Sequence, residues 1–124
     1  MPTPITISAA GVTLTATLND SPTAVRIAAA LPIRGQVNRW GDEIYFSIAV
    51  KDSQVPDARA EMKVGELAYW PAGSAFCIFW GKTPASHADE PRAYSAVNPV
   101  GMVDGDATVL AAVGDGKDIT IEHA

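Results

Sequence analysis

Gly65-Glu66-Leu67-Ala68-Tyr69-Trp70-Pro71-Ala72-Gly73-Ser74-Ala75-Phe76-Cys77-Ile78-Phe79-Trp80 carries two apolar runs separated by a turn. Pro71-Ala72-Gly73-Ser74 supplies the turn chemistry. Residues 75–80 are apolar without a break and bounded by turn residues, which fits a buried strand. Upstream, Ile44, Phe46, Ile48 and Val50 alternate along 40–50 and fall on one face of a second strand. The chain opens the same way. Ile5 and Ile7, then Val12, Leu14, Ala16 and Leu18, are separated by threonines, and Ala10-Gly11 between the runs predicts a hairpin. Ser21 as N-cap and Pro22 at the first helical position start a helix over 22–31, and Pro32 stops it. Polar stretches over 53–63 and 82–94 read as two long loops. Strand character returns at 96–103. A short helix is expected over 104–112, capped by Asp104 or Asp106, and a last strand at 119–121. Many short strands, two short helices and Gly/Pro turns predict a closed or nearly closed β-barrel, which would also remove exposed strand edges.

The chain has 124 residues, read as one domain over 1–124. From its mass, folding buries about two-thirds of the extended chain's surface, enough for one core without covalent staples. Apolar residues make up 48% and charged residues 19%, which excludes a disordered chain. A net charge of −5 with scattered basic residues argues against a nucleic-acid partner. No apolar run approaches the roughly 18 residues of a membrane span. The start Met1-Pro2-Thr3-Pro4-Ile5 has neither a basic nor an apolar leader region and reads as a mature cytoplasmic start. Cys77, the one cysteine, lies within the apolar run, where burial would raise its pKa and leave it inert.

Three stretches resemble a known family: Val37-Asn38-Arg39-Trp40-Gly41-Asp42-Glu43-Ile44-Tyr45-Phe46, the segment from Val64 to Pro84, and Ser95-Ala96-Val97-Asn98-Pro99-Val100-Gly101. Together they resemble the small prokaryotic cyclophilin-like proteins of unknown function, of the Thermotoga type, from about residue 5 to the C-terminus. The resemblance implies a closed eight-stranded antiparallel cyclophilin-like β-barrel with two short helices at its ends. Through the wider superfamily it also implies peptidyl-prolyl cis/trans isomerisation. That reaction needs no covalent step. It lowers a barrier of about 18–20 kcal/mol by favouring a twisted peptide bond. Val37-Asn38-Arg39-Trp40 is similar to the cyclophilin aromatic-His-Arg-Ile stretch, so Arg39 is the candidate catalytic arginine. Ser74-Ala75-Phe76-Cys77-Ile78 is similar to Ser-Gln-Phe-Phe-Ile, with Cys77 where a pocket phenylalanine belongs and Ala75 where a glutamine belongs. Trp40-Gly41-Asp42-Glu43 replaces the Gly-Phe-Met-x-Gln pattern. Most of the isomerase set is therefore absent.

The expected function is a binding module for a peptide or small ligand, with weak isomerisation through Arg39 as the alternative. The bland reading of Arg39 is a strand-end arginine paired with Asp42 or Glu43. The candidate pocket set is Asn38, Trp40, Glu43, Tyr45, Tyr69, Trp70, Phe76 and Cys77. Phe46, Phe76 and Phe79 are expected mainly in the core, while Trp40, Tyr45, Tyr69 and Trp70 lie beside turns, where a pocket forms readily. Glu43 is expected to face outward. If buried, it would be an acid with a raised pKa or a partner for Arg39. Asn98, before Pro99, is expected to cap a turn. His87, Asp89 and Glu90 share a loop without the further ligands a metal site needs. No nucleotide motif or hydrolase triad is present, so no metal and no cofactor is indicated. A homo-oligomer, with the aromatic surface as its interface, is a third reading.

Overall fold

The first hairpin forms where the alternation places it, β1 over Thr3–Ala9 and β2 over Val12–Leu18. Ala10 (φ 48°) and Gly11 (φ 81°) both take positive φ, the two-residue turn whose twist matches a hairpin. The computed structural model describes residues 2–124; Met1, the first residue of the stretch read as a mature start, lies outside the described residues. Helix α1 follows at Pro22–Ala30, with the Ser21 side chain accepting from the Ala24 N–H. The chain then runs through β3 (Ile33–Gln36), β4 (Asn38–Arg39), β5 (Glu43–Ser47), β6 (Arg59–Glu61), β7 (Glu66–Trp70), a 3-10 turn at Pro71–Gly73 and β8 (Ala75–Phe79). Strand β9 spans Arg92–Val103, a 3-10 helix spans Ala107–Ala112 with Asp106 capping Thr108, and β10 closes the order at Asp118–His123.

Every ladder is antiparallel, and the main sheet runs β3-β10-β1-β2-β9-β7-β8-β5-β4, with β6 paired to β9 off this path. This corrects the expected closed eight-stranded barrel: among the described residues the sheet has ten strands and is open. Its two end strands, β3 and β4, carry no ladder to each other. The reason lies in one short stretch. Val37 joins the two end strands, and its N–H and C=O are both used by the β10 side, through Lys117 O and Gly116 N. Where β3 approaches β5, the Phe46 ring lies against Gly35. A Cβ built on Gly35 would stand 2.8 Å from Phe46 Cδ2. Side-chain packing, not backbone pairing, fills the gap between the sheet's ends.

The sheet is apolar on both faces in its middle strands. Ile44, Phe46, Leu67, Tyr69, Phe76 and Ile78 join the main core with β1, β2, β10 and α1. Their alternate neighbours Ala68, Cys77 and Phe79 face the other way and pack with Met62, Ala93 and Val97. That second cluster exists because β9 bends. Its register against β7 shifts between Leu67 and Ala68, and the half before Asn98 pairs with β6 instead. The first half of β9, with β6, thus covers the outer face of β5, β7 and β8. Among the described residues, no helix is long and apolar enough to cross a membrane.

Candidate functional site

The cover over the second face is incomplete beside β5. A cavity of about 160 Å³ is left there, lined by Trp40, Glu43, Tyr45, Trp70, Cys77, Ala93, Tyr94 and Val97. The period-two geometry of β5 explains two of these. Ile44 and Phe46 enter the main core, so Glu43 and Tyr45 must face the cavity side. Glu43 pairs with Phe79 and Tyr45 with Cys77, which makes Glu43 and Cys77 diagonal neighbours on one face.

Four aromatic rings wall the cavity in sequence. Tyr45 meets Trp70 at 6.3 Å and 76°, Trp70 meets Tyr94 at 6.1 Å and 79°, and Tyr94 meets Trp40 at 6.1 Å and 71°. Successive rings stand nearly perpendicular, so the walls turn around the space instead of stacking flat. Trp70 is fixed twice. Its Nε1–H donates to Ser95 Oγ at 2.7 Å, and its ring packs on Gly73, where a Cβ would come within 2.5 Å of Cε3. Tyr94 is 76% exposed and forms the solvent side of the cavity.

Glu43 is 4% exposed, contrary to the expected outward orientation. Burial pushes its carboxyl up to about 8, opposed only by a hydrogen bond with the Cys77 thiol. Burial, and then the charge of Glu43, push the Cys77 thiol well above its ordinary range. No basic side chain lines the cavity among the described residues.

Arg39 is not among the lining residues. Its guanidinium donates to the carbonyls of Ala111 and Val113, at 3.2 and 2.9 Å, and to Gly41 O. It lies 3.8 Å from Asp42 and 5.0 Å from the Trp80 ring centroid. It therefore ties β4 to the end of the 3-10 helix, where free carbonyls favour a cation. The isomerase expectation is corrected together with the barrel it depended on. The sheet is open, and the arginine that was to turn the peptide bond is held by backbone carbonyls outside the cavity.

The remaining sequence candidates divide. Trp40, Glu43, Tyr45, Trp70 and Cys77 come together at the cavity. Asn38 is exposed and donates to Tyr45 O, while Phe76 is fully buried against Phe46. Tyr69 is fully buried and holds Val50 and Asp52. Ala93 and Tyr94 were missed because 82–94 reads as loop, and Val97, within the strand expected at 96–103, was missed because its position alone does not tell which face is covered. The usable signal was Tyr94 itself, an aromatic residue next to a strand start. In the same loop the Glu90 carboxylate accepts from the His87 and Ala88 N–H groups and from Arg92, which lowers it to about 2. Those bonds close the loop.

Fold and site together define an antiparallel β domain with an aromatic-walled cavity on the outer face of its sheet. A family model described as Cyclophilin-like matches residues 3–122, and the chain belongs to that cyclophilin-like family. Its structure is similar to the solution structure of a hypothetical protein from Archaeoglobus fulgidus. The two share 35% identity and a TM-score of 0.83, over 99% of this chain and 95% of the archaeal one. No curated protein matches the chain.

Proposed function

We propose that the domain is a ligand-binding module whose cavity on the outer face of β5, β7 and β8 holds a small molecule or a peptide side chain. The observation that carries this reading is the cavity itself: apolar walls, one buried acid, and an opening to solvent beside Tyr94. Its size is close to that of an engineered cavity of roughly 150 Å³ that admits benzene, so a compact group fits while the rest of a larger ligand extends outward. The walls are also held in place before any ligand arrives. Ser95 and Gly73 fix the Trp70 ring, which reduces the ordering cost of binding.

The test is a screen of small fragments and short peptides by NMR, reading the indole N–H signals of Trp40 and Trp70 and the ring signals of Tyr94. Ligands are expected to shift these signals together. Gly73→Ala is expected to weaken binding at least about tenfold while the fold persists, because the new methyl must displace the Trp70 ring. A varied library that leaves all three residues unmoved would overturn the reading.

A further inference from the structure

A cavity walled by four aromatic rings usually calls for an apolar ligand, but this one also contains an acid. Ring faces carry negative charge density and attract a cation within about 6 Å of their centroids. The rings of Tyr45, Trp70, Tyr94 and Trp40 stand at near right angles around one space. Glu43, on the wall of the same space, lies diagonal to Cys77, and no basic side chain shares that wall among the described residues. Arg39, four residues away in the chain, is held by Ala111 and Val113. Arg59 is bonded to Glu66, and Arg92 to Glu90 and Glu61.

We propose that the cavity takes an alkylated ammonium group, its methyl or methylene surface against the rings of Trp40, Tyr45, Trp70 and Tyr94 and its charge opposite Glu43. The inference rests on the ligand-pocket reading above and names the chemistry of the ligand. An alkylated ammonium suits this site better than a bare one. Its charge is spread over apolar surface, so leaving water costs less and contact with rings gains more. Such a group exists both on free small molecules and on methylated lysine side chains, and the experiment separates the two.

The charge state of Glu43 provides a second readout. Buried without a cation, its carboxyl holds a proton up to about pH 8. The other titratable groups lining the cavity are Cys77 on β8, Tyr45 on β5 and Tyr94 on β9. Burial keeps the Cys77 thiol protonated. A quaternary ammonium keeps its charge at every pH, so its entry favours the carboxylate and expels the proton. Affinity should therefore rise with pH up to about 8, by as much as about tenfold per unit, and then level off.

The experiment titrates the protein with choline and with 3,3-dimethylbutan-1-ol, the neutral compound of the same shape, reading Trp40, Trp70 and Tyr94 by NMR. A short peptide carrying trimethyl-lysine and its unmethylated counterpart form the second arm. Choline should bind roughly tenfold or more tightly than the alcohol. Glu43→Gln should abolish the pH slope and reduce the preference for choline to the part that the rings supply. A peptide that binds more tightly than choline, and only when methylated, would assign the group to a protein side chain; the reverse order would assign it to a free molecule. Equal binding of choline and the alcohol by the unaltered protein would overturn the cation inference and leave the ligand pocket standing. Cations and alcohol both failing while other fragments bind would do the same. Failure of every compound would overturn both. The comparison of choline with the alcohol needs no variant, so a poorly folded Glu43→Gln would not blur the result.

Discussion

Glu43 is an acid that the fold pushes towards its neutral form. Its folded pKa of about 8 lies above the ordinary value of 4.5. The folded protein therefore holds a proton that the unfolded chain releases across that window. Below about pH 4.5 both states are protonated and Glu43 costs nothing. As pH rises towards 8 the unfolded chain gains an ionised, well-solvated carboxylate, and folding loses about 1.4 kcal/mol per unit. Across the window the loss sums to roughly 3–5 kcal/mol. The three depressed carboxylates, Asp52, Glu90 and Asp106, act the other way, and their contribution is lost as pH falls below the ordinary carboxylate range, outside this window. Urea unfolding at pH 5 and pH 8 should find the protein less stable at the higher pH, and Glu43→Gln should remove most of that difference. An unchanged slope in the variant would mean that water reaches the carboxyl. The orientation of Glu43 was half legible in the sequence. Period two sets it opposite Ile44 and Phe46, but whether the opposite face is covered depends on β6 and β9, more than fifteen residues away in the chain.

At the level of elements, the segment between β5 and β6 has no ladder for most of its length and is held by buried side chains. The Tyr69 hydroxyl donates to Val50 O at 2.8 Å and accepts from the Asp52 N–H at 3.2 Å. Asn98 donates to Ser53 O and Thr23 Oγ1 and accepts from the Val55 N–H. Thr23, on α1, donates to Asp52, and this bond, ahead of the one from Ser53, holds that carboxylate below its usual range. Helix α1, the segment and β9 are thus joined through one polar network. Tyr69→Phe should cost about 1–2 kcal/mol in urea unfolding. Asn98→Ala should cost more, because it removes three hydrogen bonds at once from a buried side chain, and should speed amide exchange at Val55. A loss below about 0.5 kcal/mol for both would mean that solvent replaces the bonds. The first hairpin, the start of α1 and β8 were legible because their signals are local: alternation, a serine before a proline, an unbroken apolar run. Strands β3, β4 and β6 were not. Ile33-Arg34-Gly35-Gln36 buries only Ile33, Asn38–Arg39 is two residues long, and Arg59–Glu61 is mostly polar, so each is a strand only because a partner strand offers it an edge.

For the whole molecule, an open sheet has two ends that must not recruit other strands. Both are short, four residues in β3 and two in β4, which limits the edge each presents. The chain is nevertheless well packed. Its accessible surface of 5987 Å² is close to the roughly 6,300 Å² expected for a folded chain of its mass. Packing across the gap between β3 and β5 therefore substitutes for a ladder, and Gly35 is where it is tightest. The Phe46 ring occupies the space a side chain at residue 35 would need. Gly35→Ala should lower stability by about 1–3 kcal/mol, because the ring must leave its position in the core or β3 must move outward. The two responses differ in amide exchange. If β3 moves, amides of β3 and of its partner β10 lose protection while those of the β1–β2 hairpin keep theirs. If Phe46 moves instead, the loss spreads through β5 and β8, and the Phe46–Phe76 ring contact changes with it. An unchanged stability with unchanged exchange would mean that the two ends do not press on each other, and that the open sheet is held by its ladders alone.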